Sequence, residues 1–139
     1  MKRYDDMEEK HASSLPRKVL FLNAYSYPEN ISYSYIENGL YKSMANAGIQ
    51  VDVITPTPTR NLSADDYEKY KKIRHELLYD GVVRIHRFRL FREGKSPIVR
   101  ALRYLIGNVK SYFASVKYND ANLIFSNSTP PPKGYFALW

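Results

Sequence analysis

Two short polar stretches have residue types that could bind a sugar or a phosphate, and each follows an apolar run. In the first, Asn30, Ile31 and Ser32 open a helical pattern after the run KVLFLN. Backbone N–H groups at the start of a helix can meet a phosphate or sugar oxygen. In the second, Ser128 and Thr129 come shortly after the run NLIF and precede three prolines, which fix an extended path. We take these five residues as candidate substrate-binding residues, with a capped connection and a stiff turn as the structural alternatives.

Other familiar catalytic patterns are missing from the sequence. It contains neither the glycine-rich dinucleotide fingerprint nor a P-loop. It has no cysteine, which excludes a zinc knuckle and a cysteine nucleophile. The three histidines, His11, His75 and His86, lack the spacing of metal ligands, and we interpret each as a surface or partly packed residue. We therefore predict no metal and no cofactor, and we name no catalytic acid or base.

A third candidate site is a basic stretch that begins with RFRLFREGK and continues into a helical pattern at Ser96–Tyr118. Apolar residues form one stripe of this helix, and its arginines and lysines fall on the other side. We expect the stripe to pack on a sheet and the arginines to be solvated. An anionic membrane or a nucleic acid could use the same basic face. The candidate membrane-contact residues are Arg92, Lys95, Arg100 and Arg103.

An alternating chain of strands and helices is needed to position these residues. Short apolar runs are typical of strands buried in a parallel sheet, and spacings of three and four residues are typical of helices. The pattern predicts an α/β fold with a Rossmann-like, doubly wound parallel sheet, in which the first and fourth strands are neighbours if the strand order is 3-2-1-4. Ligands of such sheets lie outside the carboxyl ends of the strands, so the first and fourth loops should face each other across a crevice. The predicted strands are Lys18–Asn23, Ile49–Thr55, Gly81–Leu90 and Asn122–Ser128, and the predicted helices are Ser34–Gly48, Ala64 to about Leu77, and Ser96–Tyr118.

The length of 139 residues and the net charge of +7 bound the organisation of the chain. We interpret residues 1–16 as a flexible, polar N-terminal extension and residues 17–139 as one domain. The final run GYFALW has no capping residue, so we expect the domain to be truncated. The sequence has no apolar run of membrane-spanning length and no secretory signal, which predicts a cytoplasmic protein. Its basic charge favours an anionic neighbour, although a basic protein can also simply be soluble.

The order of these pieces resembles the N-terminal domain of glycosyltransferase family 4-like enzymes. The segments that carry the resemblance are Y-x-x-P-E after the first strand, NAGIQVDVIT, YDGVVRIHRFRL, the basic helix and ANLIFSNSTPPPKG. The STPP segment is similar to the branch that makes surface polysaccharides and lipid-linked sugars. Enzymes of this family have the GT-B fold, which consists of two Rossmann-like domains. The resemblance therefore implies the N-terminal half of a GT-B fold.

The resemblance also implies an activity. It implies a retaining, metal-independent enzyme that transfers a sugar from a nucleotide-sugar to a lipid-linked or polysaccharide acceptor, peripheral on the inner face of a membrane. The family usually has two glycines where Ile31 and Ser32 stand, and a side chain at Ile31 restricts the approach of a ligand to the backbone. The family's C-terminal domain, which holds the donor, is not part of the sequence. The chain should therefore supply the acceptor side of a cleft and be inactive alone.

Two other interpretations remain open. The chain could be a stand-alone module that binds nucleic acid or an anionic membrane through its basic face. A steep salt dependence of nucleic-acid binding would favour the first of these, but the sequence has no nucleic-acid motif. The chain could also be a non-functional remnant of a truncated gene, which the uncapped run GYFALW would equally explain.

Overall fold

The computed structural model of the protein describes residues 16–25, 27–29, 32–92 and 96–126. This part of the chain forms five strands and three α-helices, and a short 3-10 turn follows the last helix. In chain order the elements are β1 (Lys18–Leu22), α1 (Ser32–Asn46), β2 (Gln50–Pro56), α2 (Ala64–Tyr70), β3 (His75–Leu78), β4 (Val83–Phe88), α3 (Pro97–Ser115), the 3-10 turn (Val116–Tyr118) and β5 (Leu123–Ser126).

The strands form one mixed sheet in the order β3-β4-β2-β1-β5. The pairs β4–β2, β2–β1 and β1–β5 are parallel, and β3 is antiparallel to β4. The central strand β1 is in register with both of its neighbours, so that Val19 lies opposite Val51 on one side and Leu123 on the other. The predicted α/β class is confirmed, and the four parallel strands have the order in which the first and fourth predicted strands are neighbours. A mostly parallel sheet of this kind is compatible with a Rossmann-like fold.

The prediction of a helix from Ala64 to about Leu77 is wrong in its second half. α2 ends at Tyr70, and His75–Leu78 forms the antiparallel edge strand β3. The reason is the turn that follows: Tyr79, Asp80 and Gly81 all have positive φ, at 52°, 56° and 85°. An Asp-Gly pair is favoured where two successive turn residues need left-handed backbone, and it folds β3 back on β4 as a hairpin.

Helices cover both faces of the sheet, as a doubly wound fold requires. α1 covers the face that carries Val19, Phe21, Val51 and Val53, and Tyr41 of this helix is part of that core. The opposite face is smaller. It consists of Leu20, Leu22 and Ile54, packed against Phe88 and the carboxyl end of α3, with Ala114, Tyr118 and Ala121.

α3 packs on the sheet through polar and small residues, so the predicted packing of its apolar stripe is wrong. Arg103, Asn108 and Ser111 are buried. A methyl group added at Gly107 would lie 3.4 Å from Leu90 Cδ2, which shows how closely the helix approaches at its small residues. The stripe points away instead: Ile98, Leu102, Leu105, Val109 and Val116 are 38–78% exposed, and Phe113 beside them is 68% exposed.

The turn after α1 provides a local stability test. Gly48 has a φ of +72°, and a Cβ added there would meet no atom within 4 Å. Gly48→Ala should therefore destabilise through backbone strain alone, by about 1 kcal/mol. Gly39→Ala is the matched control, because Gly39 lies inside α1 with equally open space and ordinary φ. It should stabilise by about 0.5 kcal/mol. Urea unfolding measures the change in unfolding free energy for each variant. Changes of the same sign in the two variants would contradict the proposed backbone strain at position 48.

Candidate functional site

A narrow crevice lies at the carboxyl ends of the parallel strands, between the sheet and α3. Its enclosed volume is about 20 Å³, which is enough for one water-sized group. A larger ligand would have to rest over its mouth. This is the position that ligands take in open α/β sheets. The lining residues are Asn23, Ala24, Tyr25, Pro56, Phe88 and Leu90 from the strand ends, and Arg103, Tyr104, Gly107 and Asn108 from α3.

Two buried polar side chains line this crevice with unused hydrogen-bonding atoms. Asn23 is fully buried, and its Nδ2 donates to Tyr41 Oη at 2.8 Å. Arg103 is 3% exposed, and its Nη2 donates to Thr59 Oγ1 at 2.9 Å. Asn23 Oδ1 and Arg103 Nη1 have no hydrogen-bond partner among the described residues. Leaving such groups unsatisfied costs about 1–3 kcal/mol each, so both call for a water or a ligand atom.

The combination of these two atoms selects a kind of ligand group. Asn23 Oδ1 can only accept a hydrogen bond, and Arg103 Nη1 can only donate one. A hydroxyl group does both at once, because it carries one donor and two acceptor positions. A hydroxyl, as found on a sugar, can therefore meet either of these atoms.

Two tyrosines extend the crevice toward solvent. Tyr25 Oη and Tyr104 Oη are 2.9 Å apart, and the Arg60 guanidinium lies 5.7 Å from the centroid of the Tyr25 ring. Aromatic and apolar side chains with a few polar groups are the usual lining of small-molecule sites. The flat rings and their hydroxyls give a ligand both an apolar surface and hydrogen bonds.

Glu29 fixes the loops around the crevice. It is 1% exposed, and its Oε1 accepts from the backbone N–H groups of Thr59 at 2.8 Å and Arg60 at 2.9 Å. Arg87 Nη2 donates to the Tyr27 carbonyl at 3.1 Å. Hydrogen bonds to ionised groups are roughly twice as strong as neutral ones. The loops after β1 and β2 are thus tied together, and Thr59 also joins them to Arg103.

Sequence reasoning did not select Glu29, Asn23 or Arg103 as residues of this crevice. A signal for Glu29 was available, because it is the single charged residue between Lys18 and Glu37 and directly follows a proline. Asn23 was predicted as the last residue of the first strand, where a polar residue ends an apolar run. Nothing in the sequence pattern predicted that Arg103 would point inward.

The predicted substrate-binding residues fall mostly outside the described part of the chain. Asn30, Ile31, Ser128 and Thr129 lie outside it, so their assignment stays a prediction. Ser32 is the first residue of α1, which begins two residues before the predicted start. Its assignment as a substrate-binding residue also stays a prediction.

The predicted membrane-contact residues divide into two groups. Arg92 and Arg100 are exposed, and the Arg92 guanidinium lies 5.5 Å from the centroid of the Tyr67 ring. Lys95 lies outside the described residues. Arg103 is buried against Thr59, so its assignment as a membrane contact is wrong. Its helix is turned so that position 103 faces the sheet.

A second polar cluster surrounds Asp52, which is fully buried in β2. Its carboxylate accepts from Arg84 at 2.9 and 2.8 Å and lies 2.9 Å from His86 Nε2 and 3.2 Å from Lys18 Nζ. Burial raises the pKa of Asp52, but the hydrogen bonds from His86, Arg84 and Lys18 outweigh it and hold the pKa below its ordinary value. Asp52 is therefore ionised in the folded protein at neutral pH.

Two searches of the described residues found nothing. No group of three or more histidine, cysteine, aspartate or glutamate residues in that part of the chain could hold a metal ion. No helix there has both the length and the apolar character needed to cross a membrane.

Comparisons of the chain with protein-family models, with curated proteins and with solved structures found no match. Function is therefore inferred from the crevice, from the surface of α3 and from the order of the sequence motifs.

Proposed function

We propose that this chain is the acceptor-side, N-terminal domain of a retaining glycosyltransferase with the GT-B fold. The enzyme would transfer a sugar from a nucleotide-sugar to a lipid-linked or polysaccharide acceptor. The observation that carries the proposal is the crevice at the carboxyl ends of β1 and β2, where Asn23 Oδ1 and Arg103 Nη1 lack partners among the described residues. The order of motifs resembling family 4-like enzymes supplies the reaction class, and the mostly parallel sheet is compatible with the fold.

In this proposal the crevice holds an acceptor hydroxyl. The hydroxyl donates to Asn23 Oδ1 and accepts from Arg103 Nη1, and the two bonds together fix the direction of its lone pairs. The ring that carries the hydroxyl rests over the pair formed by Tyr25 and Tyr104, whose hydroxyls are 2.9 Å apart. A second domain would hold the nucleotide-sugar, and neither a metal nor a cofactor takes part.

We further propose that α3 contacts an anionic membrane from the cytoplasmic side. The observation that favours this contact is the outward apolar stripe, since an amphipathic helix binds a bilayer by burying such a surface among the lipids. Exposed cations accompany the stripe at Arg92 and Arg100, where they would meet acidic head groups. The sequence-based expectation gave this contact to the basic residues, whereas in this proposal the exposed apolar residues make most of it.

The two faces of α3 link the proposed sites. Arg103 and Tyr104 line the crevice from the inner face, and the stripe at Leu102 and Leu105 faces outward one turn or less away along the chain. A lipid-linked acceptor anchored in the membrane would therefore present its head group close to the crevice.

Loss of the Arg103 guanidinium is expected to weaken acceptor binding. With a short-chain polyprenyl-diphosphate sugar as the ligand, Arg103→Met should raise the dissociation constant by at least about tenfold, because one charge-assisted hydrogen bond is worth about 1.5–3 kcal/mol. Isothermal titration calorimetry measures the constant. Lys42→Met is the matched control, since Lys42 is an exposed cation on α1.

Arg103→Lys separates binding from folding, because it keeps the buried charge but removes the two-pronged donor. Thermal unfolding of both Arg103 variants should establish that they are folded at the temperature of the titration. Equal affinity of the wild-type protein and both folded variants would contradict the proposed role of the crevice.

A further inference from the structure

A second cavity lies on the α3 side of the sheet, where β3 and β4 meet the end of that helix. Its volume is about 170 Å³, several times the roughly 30 Å³ that one water occupies in the liquid. The proposed acceptor binding does not use its polar groups. The residues that line it are His75, His86, Arg87, Phe88, Ala114, Lys117 and Tyr118.

Two histidines form a hydrogen-bonded chain from Asp52 into this cavity. His86 Nε2 lies 2.9 Å from Asp52 Oδ1, and His86 Nδ1 lies 3.1 Å from His75 Nδ1. Asp52 is ionised, so the proton of the first contact belongs to His86 Nε2. The second contact needs one proton between two ring nitrogens.

The position of that proton determines whether His75 Nε2 can accept or donate a hydrogen bond in the cavity. With both rings neutral, His86 Nδ1 accepts and His75 Nδ1 donates, which leaves His75 Nε2 as an acceptor. Uptake of one further proton by the pair places an N–H at His75 Nε2, whichever ring carries the positive charge. An anion bound at His75 Nε2 therefore favours uptake of one proton by the pair, because only the added proton makes this nitrogen a hydrogen-bond donor.

The charges around the pair favour an anion. The cations next to the pair and in the cavity lining are Lys18, Arg84 and Lys117, and the carboxylates paired with Lys18 and Arg84 are Asp52 and Asp120. Three positive and two negative charges leave +1 with neutral histidines and +2 with one proton added. Arg87 also borders the cavity, but it pairs with Glu76 at 2.7 Å, and the two charges cancel.

Tyr118 supplies a neutral donor. Its ring stacks on His86 with 4.8 Å between the centroids, and Lys18 Nζ lies 5.6 Å from the ring centroid. Burial, and then the negative charge of Asp52, raise the pKa of the Tyr118 hydroxyl, so it stays protonated at neutral pH.

We propose that this cavity binds a tetrahedral oxyanion of the phosphate class through His75 Nε2, Lys117 and the Tyr118 hydroxyl, and that binding takes up one proton on the His75–His86 pair. The oxyanion is either free phosphate or the phosphomonoester of a larger molecule. The site is independent of the acceptor crevice, and its failure would leave that proposal standing.

Sulfate is the first probe, because it keeps the same charge across the range in which histidine titrates. Isothermal titration calorimetry on the full chain should give binding at least about tenfold tighter near pH 5.5 than near pH 8. Repeating the titration in two buffers of different ionisation enthalpy should show uptake of about one proton. His75→Gln should weaken binding at pH 5.5 and reduce the pH dependence, because it removes the nitrogen that becomes a donor while His86 remains. Lys117→Met should weaken binding by about tenfold at both pH values, and Lys42→Met should have no effect.

Two further binding experiments distinguish the sources of the oxyanion. Binding of soluble glycerol phosphate that is sensitive to His75→Gln would assign the site to soluble phosphomonoesters. Binding that is confined to vesicles with phosphatidic acid, and equally sensitive to His75→Gln, would assign it to a lipid head group. His75 is exposed, so its variant should fold, which circular dichroism can verify. Sulfate affinity that is independent of pH, or unchanged in both variants, would overturn the proposal, as would no binding in any of these experiments.

Discussion

Replacing Asp52 with asparagine is expected to lower the free energy of unfolding by about 3 kcal/mol at neutral pH, because it leaves buried cations without their counter-charge. Asp52 is fully buried and joins β1, β2 and β4 through Lys18, Arg84 and His86. The value is taken at the low end for a broken buried pair, since the Arg84 side chain is 36% exposed and can be solvated in part. Urea unfolding at constant ionic strength measures the change.

Asp120→Asn is the matched control for this prediction. Asp120 binds the same Lys18, at 2.6 Å, but its own side chain is 65% exposed. Exposed ion pairs contribute about 0–1 kcal/mol, so this variant should remain close to the wild type. An equal loss of unfolding free energy in the two variants would contradict the prediction that the buried Asp52 carboxylate stabilises the protein more than the exposed Asp120 carboxylate does.

The effect of Asp52 should also depend on pH in a defined direction. In the folded protein the pKa of Asp52 lies below its ordinary value of 3.8. At pH values between the folded pKa and the ordinary one, the unfolded chain therefore binds more protons than the folded protein does. The stabilisation is therefore fully present above about pH 4 and is lost as the pH falls through the lower, folded pKa. The difference between the wild type and Asp52→Asn should shrink on acidification below about pH 4. A difference that grows there would contradict the direction of the shift.

Replacing three residues of the outward face of α3 is expected to abolish membrane binding. Leu102, Leu105 and Phe113 are 50–68% exposed, and each would bury apolar surface in a bilayer. Burial of such a side chain is worth about 1.5–3 kcal/mol when complete, so the triple serine variant should bind vesicles at least about 100-fold more weakly. Co-sedimentation with vesicles that contain anionic lipid measures the binding. Leu77→Ser is the matched control, because Leu77 is 66% exposed on β3.

The charged residues next to the stripe give a separate result. Arg92→Gln together with Arg100→Gln should weaken vesicle binding by on the order of tenfold at low salt, and less at high salt. A nucleic-acid module would behave differently. Its binding would fall in the arginine variant and stay unchanged in the triple serine variant. Unchanged vesicle binding of the triple serine variant would contradict the proposed membrane contact.

The sequence predicted the parallel part of the sheet well for a physical reason. The run KVLFLN is continuously apolar, as a central strand buried on both faces requires. IQVDVIT and VVRIHRF instead alternate apolar and polar residues, and NLIF forms the edge strand β5, whose apolar residues are 37–46% exposed. The edge strand β3 was missed because it is half exposed and short. The Asp80–Gly81 pair that marks its hairpin was instead divided, with Gly81 taken as the first residue of the next strand.

The orientation of α3 could not be predicted from its periodicity. A spacing of three and four residues shows which side chains share a face, but not which face meets the sheet. The small residues Gly107, Ser111 and Ala114 share the inward face and let the helix approach the sheet closely. This stripe of small residues was the sequence feature that indicated the inward face. It was overlooked because the stripe of large apolar residues is the more obvious pattern.

Buried charges were the other features that sequence reasoning missed. Asp52, Glu29 and Arg103 are charged residue types that are usually exposed. Their burial depends on partners distant in the chain, such as Arg84 for Asp52 and Thr59 for both Glu29 and Arg103. A lone acidic residue within the apolar strand IQVDVIT was a partial signal, but its cationic partners became evident only when the strands were paired.

The most direct test of the account is to locate a bound acceptor on the protein. Isotope-labelled protein would be mixed with a short-chain polyprenyl-diphosphate sugar in lipid nanodiscs, and intermolecular nuclear Overhauser effects would be recorded from the sugar protons. The account predicts contacts to the methyl groups of Ala24 and Leu90, which line the crevice, and contacts from the lipid to Leu102 and Leu105. Sugar contacts confined to another surface, or a bound lipid whose sugar touches no residue of the crevice, would contradict it.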